Sequence, residues 1–368
     1  MSPGTCTRAG SVVYLLLLLF MPAWSQQSAA DKLIGGGHYR RALPLVQATL
    51  EKSPQDIDAL VALSTIQWSF GQLDASTKTA EKAVLAANES AVAHAQLLNV
   101  LGAKLASSKI GIIDKLSLAR RFRKEADRTL QLNPNSLYAH EALARFYWYA
   151  PAMFGGDPAK ARQLADTLVR LDDVRGYALK AELDSTEADK AKSLVAVQAD
   201  WKQAVAANPS SYEAHVGLAG CLLAAGNGKL REAEDEAKKA MALDPSRIAA
   251  YRVLAALYVT ATRWDDLTVT LRRARATVPD DLGAEFVAAQ TILDADIKSQ
   301  LTRAEEYLRN YLTQPSEGLE PTLGMAHWRL GIVLEKEGQK SAALKELKIA
   351  INLDASLDGA KKDFQRLQ

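Results

Sequence analysis

Residues 246–279 read SRIAAYRVLAALYVTATRWDDLTVTLRRARATVP, and two apolar stripes run through these 34 positions. Tyr251, Leu254, Ala255 and Tyr258 recur at i, i+3, i+4 and i+7, and Leu267, Leu271 and Ala274 recur at i, i+4 and i+7. Each set lines one face of a helix. The turn between them falls at Thr262 to Asp265. Pro279 cannot continue the second helix, because it has no N–H to donate and its ring clashes with the turn before it. The unit is helix, turn, helix, stop. A hairpin this small cannot cover its own apolar face, so it must stack on copies of itself.

Copies lie on both sides. Equivalent stops occur at Pro54, Pro134, Pro209, Pro245 and Pro315, with Asn88, Asp173 and Ala355 in the remaining places. Successive spacings are 34, 46, 39, 36, 36, 34, 36 and 40, which a 34-residue unit with insertions of 0 to 12 accounts for. Small residues recur in register: Ala42, Ala161, Ala233 and Ala343 at one place in the second helix, and Ala83, Ala204, Ala240, Ala274 and Ala350 at another. The expected fold is all-α, about nine hairpins over 26–355, with 356–368 as a capping helix that sets Leu357, Ala360, Phe364 and Leu367 on the last repeat. The fifth repeat, 174–209, is expected to be degenerate, since Glu182, Asp184, Glu187 and Asp189 leave its first helix without a clear apolar stripe. Two insertions are expected in the turns within repeats, about 12 residues around Ser107 to Leu116 and about 5 in 150–158. Both would emerge at one edge of the array as a raised rim.

Residues 1–25 read differently. A short polar start with Arg8, an apolar run from Val12 to Met21 and then Ala23-Trp24-Ser25 form the pattern of a secretory signal peptide. The run is too short for a membrane span of about 20 residues. Export, most simply to a periplasm, is the expected localisation, and removal of the segment would leave no integral span. Cutting there removes Cys6 and leaves Cys221 as the remaining cysteine, so the mature chain must fold without an internal disulfide. Lys plus Arg, at 45, nearly balances Asp plus Glu, at 43, which gives a nucleic-acid or anionic-membrane role no electrostatic support. The clusters Arg120, Arg121, Arg123, Lys124 and Arg272, Arg273, Arg275 read as solvated helix faces.

No catalytic constellation emerges. His140-Glu141 begins like a helical zinc motif, but Ala144 stands where the second ligand would be needed. Asp294, Asp296 and Glu305 have calcium-loop spacing, yet Lys298 occupies a ligand position and Ser299 the turn glycine. Gly155-Gly156-Asp157-Pro158 is a tight turn leading into a helix start, with Asp157 as N-cap and proline at the first helical position. His94, His140, His215 and His327 share the fourth position of their repeats, which assigns them to packing. Cys221, among Leu218, Leu222 and Leu223, is expected to be a buried thiol. No cofactor or metal is expected.

The last repeat, with Leu330-Gly331, Leu334, Gly338, Ala343 and Ala350, and the sixth, with Leu218-Ala219, Ala233, Ala240 and Pro245, resemble the tetratricopeptide repeat family. The stretch from Leu308 to Pro321 leading into His327-Trp328-Arg329-Leu330-Gly331 is similar to uncharacterised exported bacterial proteins of that family. The resemblance implies a right-handed superhelical solenoid whose first helices line a groove. It also implies a non-catalytic scaffold for a protein or peptide partner. The groove positions it implies include Trp68, Tyr138, Glu141, Arg145, Trp148, Tyr149, Arg252, Phe286 and Trp328, with Pro151, Met153, Phe154, Gly155, Gly156 and Asp157 as the rim. A carrier of a small apolar envelope ligand is the alternative. One point rests on geometry alone: Phe146, Tyr147, Trp148 and Tyr149 are consecutive, so at about 100° per residue they sweep most of the helix circumference and cannot all face one core.

Overall fold

The computed structural model describes residues 28–106, 111–318 and 321–368. The expected signal peptide and residues 107–110 of the first insertion lie outside them. Among the described residues the chain forms nineteen α-helices: α1 Ala29–Gly36, α2 Tyr39–Lys52, α3 Ile57–Ser69, α4 Leu73–Ala86, α5 Ala91–Ala106, α6 Ile112–Leu132, α7 Leu137–Tyr149, α8 Pro158–Leu171, α9 Asp173–Ser185, α10 Lys190–Ala207, α11 Tyr212–Ala224, α12 Leu230–Leu243, α13 Ile248–Thr260, α14 Trp264–Thr277, α15 Gly283–Asp294, α16 Leu301–Tyr311, α17 Leu323–Lys336, α18 Lys340–Leu353 and α19 Asp358–Leu367. They are nine hairpins and a terminal helix, an all-α solenoid. The described residues group into two compact units, 28–218 with 316–318, and 219–315 with 321–368, and the division falls within α11.

The hairpin at 248–277 shows why the pattern works. Helix α13 buries Tyr251, Leu254, Ala255 and Tyr258 as the periodicity requires, and also Val253, Leu257 and Val259, because a first helix is enclosed on both flanks by its neighbours. Helix α14 buries one stripe, Leu267, Thr270, Leu271 and Ala274. The recurring alanines are the close-approach points: Ala42, Ala83, Ala161, Ala204, Ala233, Ala240, Ala343 and Ala350 are all 0% exposed. A larger side chain at such a seam would overpack it, at a cost of about 1–3 kcal/mol.

The turns inside hairpins repeat one geometry. At Gly37, Gly71, Thr262, Asp296 and Gly338 the chain takes positive φ. The next N–H then bonds a carbonyl five residues back, as in His38 to Leu33, Gln72 to Gln67, Arg263 to Tyr258, Ile297 to Ile292 and Gln339 to Leu334, at 2.8–3.1 Å. This is the Schellman closure of a helix C-terminus. Glycine takes the left-handed conformation without strain, whereas Thr262, β-branched at φ 53°, does not.

Most connections that follow a hairpin share one length, the exceptions being Asp172, 278–282 and 312–322. The segments 53–56, 87–90, 133–136, 208–211, 244–247 and 354–357 are each four residues long. The shared fourth position of the first helix reaches back six residues to tie down the connector: His94 Nε2 lies 3.0 Å from the Asn88 carbonyl, His140 Nε2 3.0 Å from that of Pro134 and His215 Nε2 2.8 Å from that of Pro209. Tyr251 takes the same role, donating its hydroxyl to the Pro245 carbonyl at 3.1 Å. At the remaining histidine the arrangement changes: Tyr311 donates to the Pro321 carbonyl, and His327 Nδ1 lies 2.6 Å from Glu346.

Two expectations about the array need correction. Residues 112–116 are not a loop. They extend α6 to 21 residues, against 14 in most second helices, so much of the extra length in the third repeat lengthens a helix. Helix α9 is not without a buried face either, since it buries Val174, Arg175, Gly176, Leu179, Ala181 and Leu183. The acids misled because α9 stops at Ser185, which leaves Glu187 and Asp189 in the turn, and because Glu182 and Asp184 meet cations, as described next. Asp172 alone joins α8 to α9; it is both the C-cap of one and the N-cap of the other, accepting from the Arg175 N–H at 3.0 Å.

Candidate binding edge at the end of α7

Helix α7 starts at Ser136, whose side chain accepts from the Ala139 N–H. Tyr138, Glu141, Arg145, Trp148 and Tyr149 then fall on one side of it, facing α9. Glu141 is buried between two guanidinium groups: Arg145 at 2.7 Å and Arg175, 2% exposed, at 3.5 Å. Arg175 also stacks 4.8 Å above the Tyr138 ring. Arg145 grips Glu182 through Nε and a terminal nitrogen at 2.8–3.1 Å, the two-pronged geometry that suits a carboxylate. Burial disfavours the charge on Arg145, but Glu141 and Glu182 outweigh it and hold the guanidinium more firmly protonated than usual. Burial pushes the Tyr138 hydroxyl up to about 12. Burial, aided by Glu182, also raises that of Tyr149, which donates to Glu182 at 3.2 Å.

The aromatic run splits as its angular spread demands. Phe146 stacks on Phe122 with ring centres 5.1 Å apart, and Tyr147 packs partly into the same core. Trp148 turns towards α8 and α9, donates to Thr186 Oγ1 at 2.9 Å and carries Arg162 4.9 Å above its ring. Arg162 is itself held by Asp184 at 2.8 Å. Tyr149 stays 51% exposed.

The following loop is ordered by its own backbone. Pro151 opens a 3₁₀ turn at Ala152–Phe154, and Gly155 closes it at φ 96°. Asp157 donates its N–H to the Tyr147 carbonyl at 2.8 Å, which folds the loop back on the end of α7. Gly156 is obligatory there, because a β-carbon would stand 1.8 Å from the Ala150 carbonyl oxygen. The Asp157 side chain caps α8 through the Lys160 N–H, with Pro158 at the first helical position. The loop leaves Met153, 76% exposed, four residues beyond Tyr149, with Phe154 half-buried.

The other sequence-predicted residues lie apart from this cluster. Trp68 is half-buried at the end of α3 in the same unit. Arg252, Phe286 and Trp328 belong to the second unit. There Arg252 pairs with Asp281 at 2.9 Å, Phe286 is 1% exposed against Tyr311, and Trp328 donates to Asp363 of α19 at 2.8 Å. The residues that sequence reasoning missed are the partners Arg162, Arg175, Glu182 and Thr186. A signal for them exists in the spacing: polar side chains pair with the adjacent hairpin about one repeat length away. Arg145 to Glu182 spans 37 residues, Arg121 to Glu81 40 and Lys336 to Asp296 40. Arg121 and Arg275, which pairs with Glu285 at 2.5 Å, are thereby members of inter-helix pairs within clusters read as solvated. A cavity of about 850 Å³ in the second unit is lined largely by Asp296, Lys298, Thr302, Glu305, Lys336 and Glu337. Cys221 is buried.

Residues 28–92 and 198–248 match the sequence profile of the tetratricopeptide repeat. No curated protein matches the chain. Among solved structures, yeast Tom70 is similar at 13% identity over 92% of this chain and 79% of that one, with a TM-score of 0.51. A thermophilic TPR protein of Thermus thermophilus is 20% identical over 53% of this chain and 95% of its own, with a TM-score of 0.45. The human IFIT1 dimer with m7Gppp-AAAA is 14% identical over 89% and 81%, with a TM-score of 0.47.

Proposed function

We propose that this chain, a tetratricopeptide-repeat protein, is a non-catalytic scaffold exported to the cell envelope, where it binds a protein or peptide segment along the edge formed by Tyr149 and 151–157. The observation that carries the reading is the pairing of an exposed aromatic and an exposed methionine at a loop folded back on its own helix: Tyr149 is 51% and Met153 76% exposed, while the close packing at Gly156 and the Asp157 N–H bond to Tyr147 hold the backbone between α7 and α8. A backbone already fixed in this way gives up less entropy on binding than a free loop would, and Tyr149 adds a large contact with few torsions to immobilise. Arg145, Glu182, Trp148 and Thr186 serve this edge from behind by fixing the end of α7 on α9. Export rests on the pattern of residues 1–25.

The test is affinity capture from envelope extract with residues 26–368 and with the Tyr149→Ala, Met153→Ala variant. A protein retained by the first and lost from the folded second supports the edge. Equal retention by both would remove it. Cell fractionation with N-terminal sequencing of the mature chain tests the location, the expected first residue being Gln26.

A further inference from the structure

The start of α2 is capped from far along the sequence. Its own N-cap, His38, makes no side-chain cap bond. Instead the Arg40 N–H donates to Glu317 Oε1 at 2.7 Å, and Arg40 Nε lies 3.8 Å from Glu317 Oε2. The Glu317 side chain is 0% exposed. Gly318 follows at φ 102°, and a β-carbon on it would lie 3.5 Å from the Tyr39 ring and 3.8 Å from the Ser69 carbonyl oxygen. Tyr39 is fixed in turn by an edge contact with Phe70, ring centres 6.3 Å apart. Residues 316–318 group with 28–218, the unit that contains all of these partners.

We infer that the start of α2, with Tyr39 and the end of α3, is a recognition site for an acidic peptide in which glycine follows the carboxylate residue, and that 316–318 occupy it as an internal stand-in. Two independent features select that chemistry. A free helix N-terminus offers N–H donors and positive potential to a carboxylate. The residue after the carboxylate then lies in van der Waals contact with the Tyr39 ring at φ 102°, the left-handed conformation that glycine adopts freely and other residues adopt only with strain. A partner carrying the same two residues would compete with the chain's own segment for one seat, so binding would release 316–318. The site shares no residue with the α7 edge. It rests on the peptide-binding reading for the kind of ligand alone, and because the probe is chemically defined, failure here counts against this site and leaves the edge untouched.

The probe is a fluorescein-labelled decapeptide of residues 313–322, TQPSEGLEPT, with a second peptide carrying glutamine in place of the first glutamate. Anisotropy titrations use the full mature chain and its Glu317→Ala, Gly318→Ala variant. The variant is expected to bind the glutamate peptide at least tenfold more tightly than the unmodified chain does, and to bind the glutamine peptide at least fivefold more weakly than the glutamate one. Equal affinity of the two chains, no discrimination between peptides, or no binding to the variant would overturn the inference. If circular dichroism shows that the double variant loses helix, Glu317→Gln is used with hydrogen exchange at the Arg40 amide. Exchange at least tenfold faster than in the unmodified chain supports the seat, and unchanged exchange overturns it.

Discussion

Glu234 on α12 and Asp200 on α10 are buried to the same degree, 8% and 9% exposed, yet their carboxyl groups titrate at opposite ends of the scale. Burial opposes the charge on both. Around Glu234 it is outweighed by donors: Arg263 at 2.5 and 3.2 Å, Lys238 at 2.7 Å and the Tyr258 hydroxyl at 2.9 Å, which together bring its pKa down to about 2. Around Asp200 burial wins. Asp184 adds repulsion, Lys180 and Arg162 compensate only in part because they pair with Asp166 and Asp184, and Oδ2 has no hydrogen-bond partner, so the pKa rises to about 7. The lesson is that the sixth hairpin uses its buried acid as a clasp on the seventh, whereas the fifth carries one as a liability.

The largest effect should come from breaking the clasp. Glu234→Ala would leave two cations and a buried hydroxyl without their acceptor, and should cost about 2–4 kcal/mol in urea denaturation at pH 7. The linkage has a definite sign. The folded pKa lies below the ordinary 4.5, so the stabilisation is complete above about 4.5 and is lost as pH falls through about 2. The difference between wild type and variant should therefore shrink steadily from pH 5 to pH 2; a constant difference would refute the account.

Next comes the liability. Because the folded pKa of Asp200 exceeds its ordinary value of 3.8, the folded state holds a proton that the unfolded state releases, and stability falls as pH rises from about 4 through about 7. Asp200→Asn should stabilise the chain by about 2 kcal/mol at pH 8, after allowing for screening by water near the pair, and should do almost nothing at pH 4. A gain independent of pH would mean that packing, not charge, is responsible.

A smaller change sharpens the comparison at the turn that delivers Arg263 to Glu234. Thr262→Gly removes a β-branched residue from left-handed backbone and should raise stability by about 0.5–1 kcal/mol, read as a shift in denaturation midpoint at unchanged slope. The smallest effect on stability belongs to the α7 edge. Tyr149→Ala with Met153→Ala should change unfolding free energy by less than about 1 kcal/mol, since Met153 is 76% exposed and Tyr149 51%, while abolishing partner capture.

Much of this architecture was legible before any coordinates. Prolines at the stops, alanines at the seams and the 34-residue period identify nine hairpins and a terminal helix, because helix periodicity and close packing leave direct marks on composition. Asp157 and Pro158 announced the start of α8 for the same reason. The site was less legible. Arg145 and Trp148 could be named as residues of interest, but their partners Glu182 and Thr186 lie a whole repeat away, and a carboxylate on a helix looks the same in sequence whether it meets water or a guanidinium. The lengthened α6 was hidden likewise, since insertion length can be counted without knowing whether it coils. Glu317 was beyond reach: its partner is a backbone N–H 277 residues earlier, and a backbone group leaves no trace in residue identity.

The single residue between α8 and α9 also has a mechanical consequence. A four-residue connector can stretch and swivel, but Asp172 is cap to both helices and has no slack to give. It is a splice, and the fourth and fifth hairpins are spliced there into one stiff lever. A displacement of α8 is thereby handed to α9 through one residue, with no free segment between them to take it up.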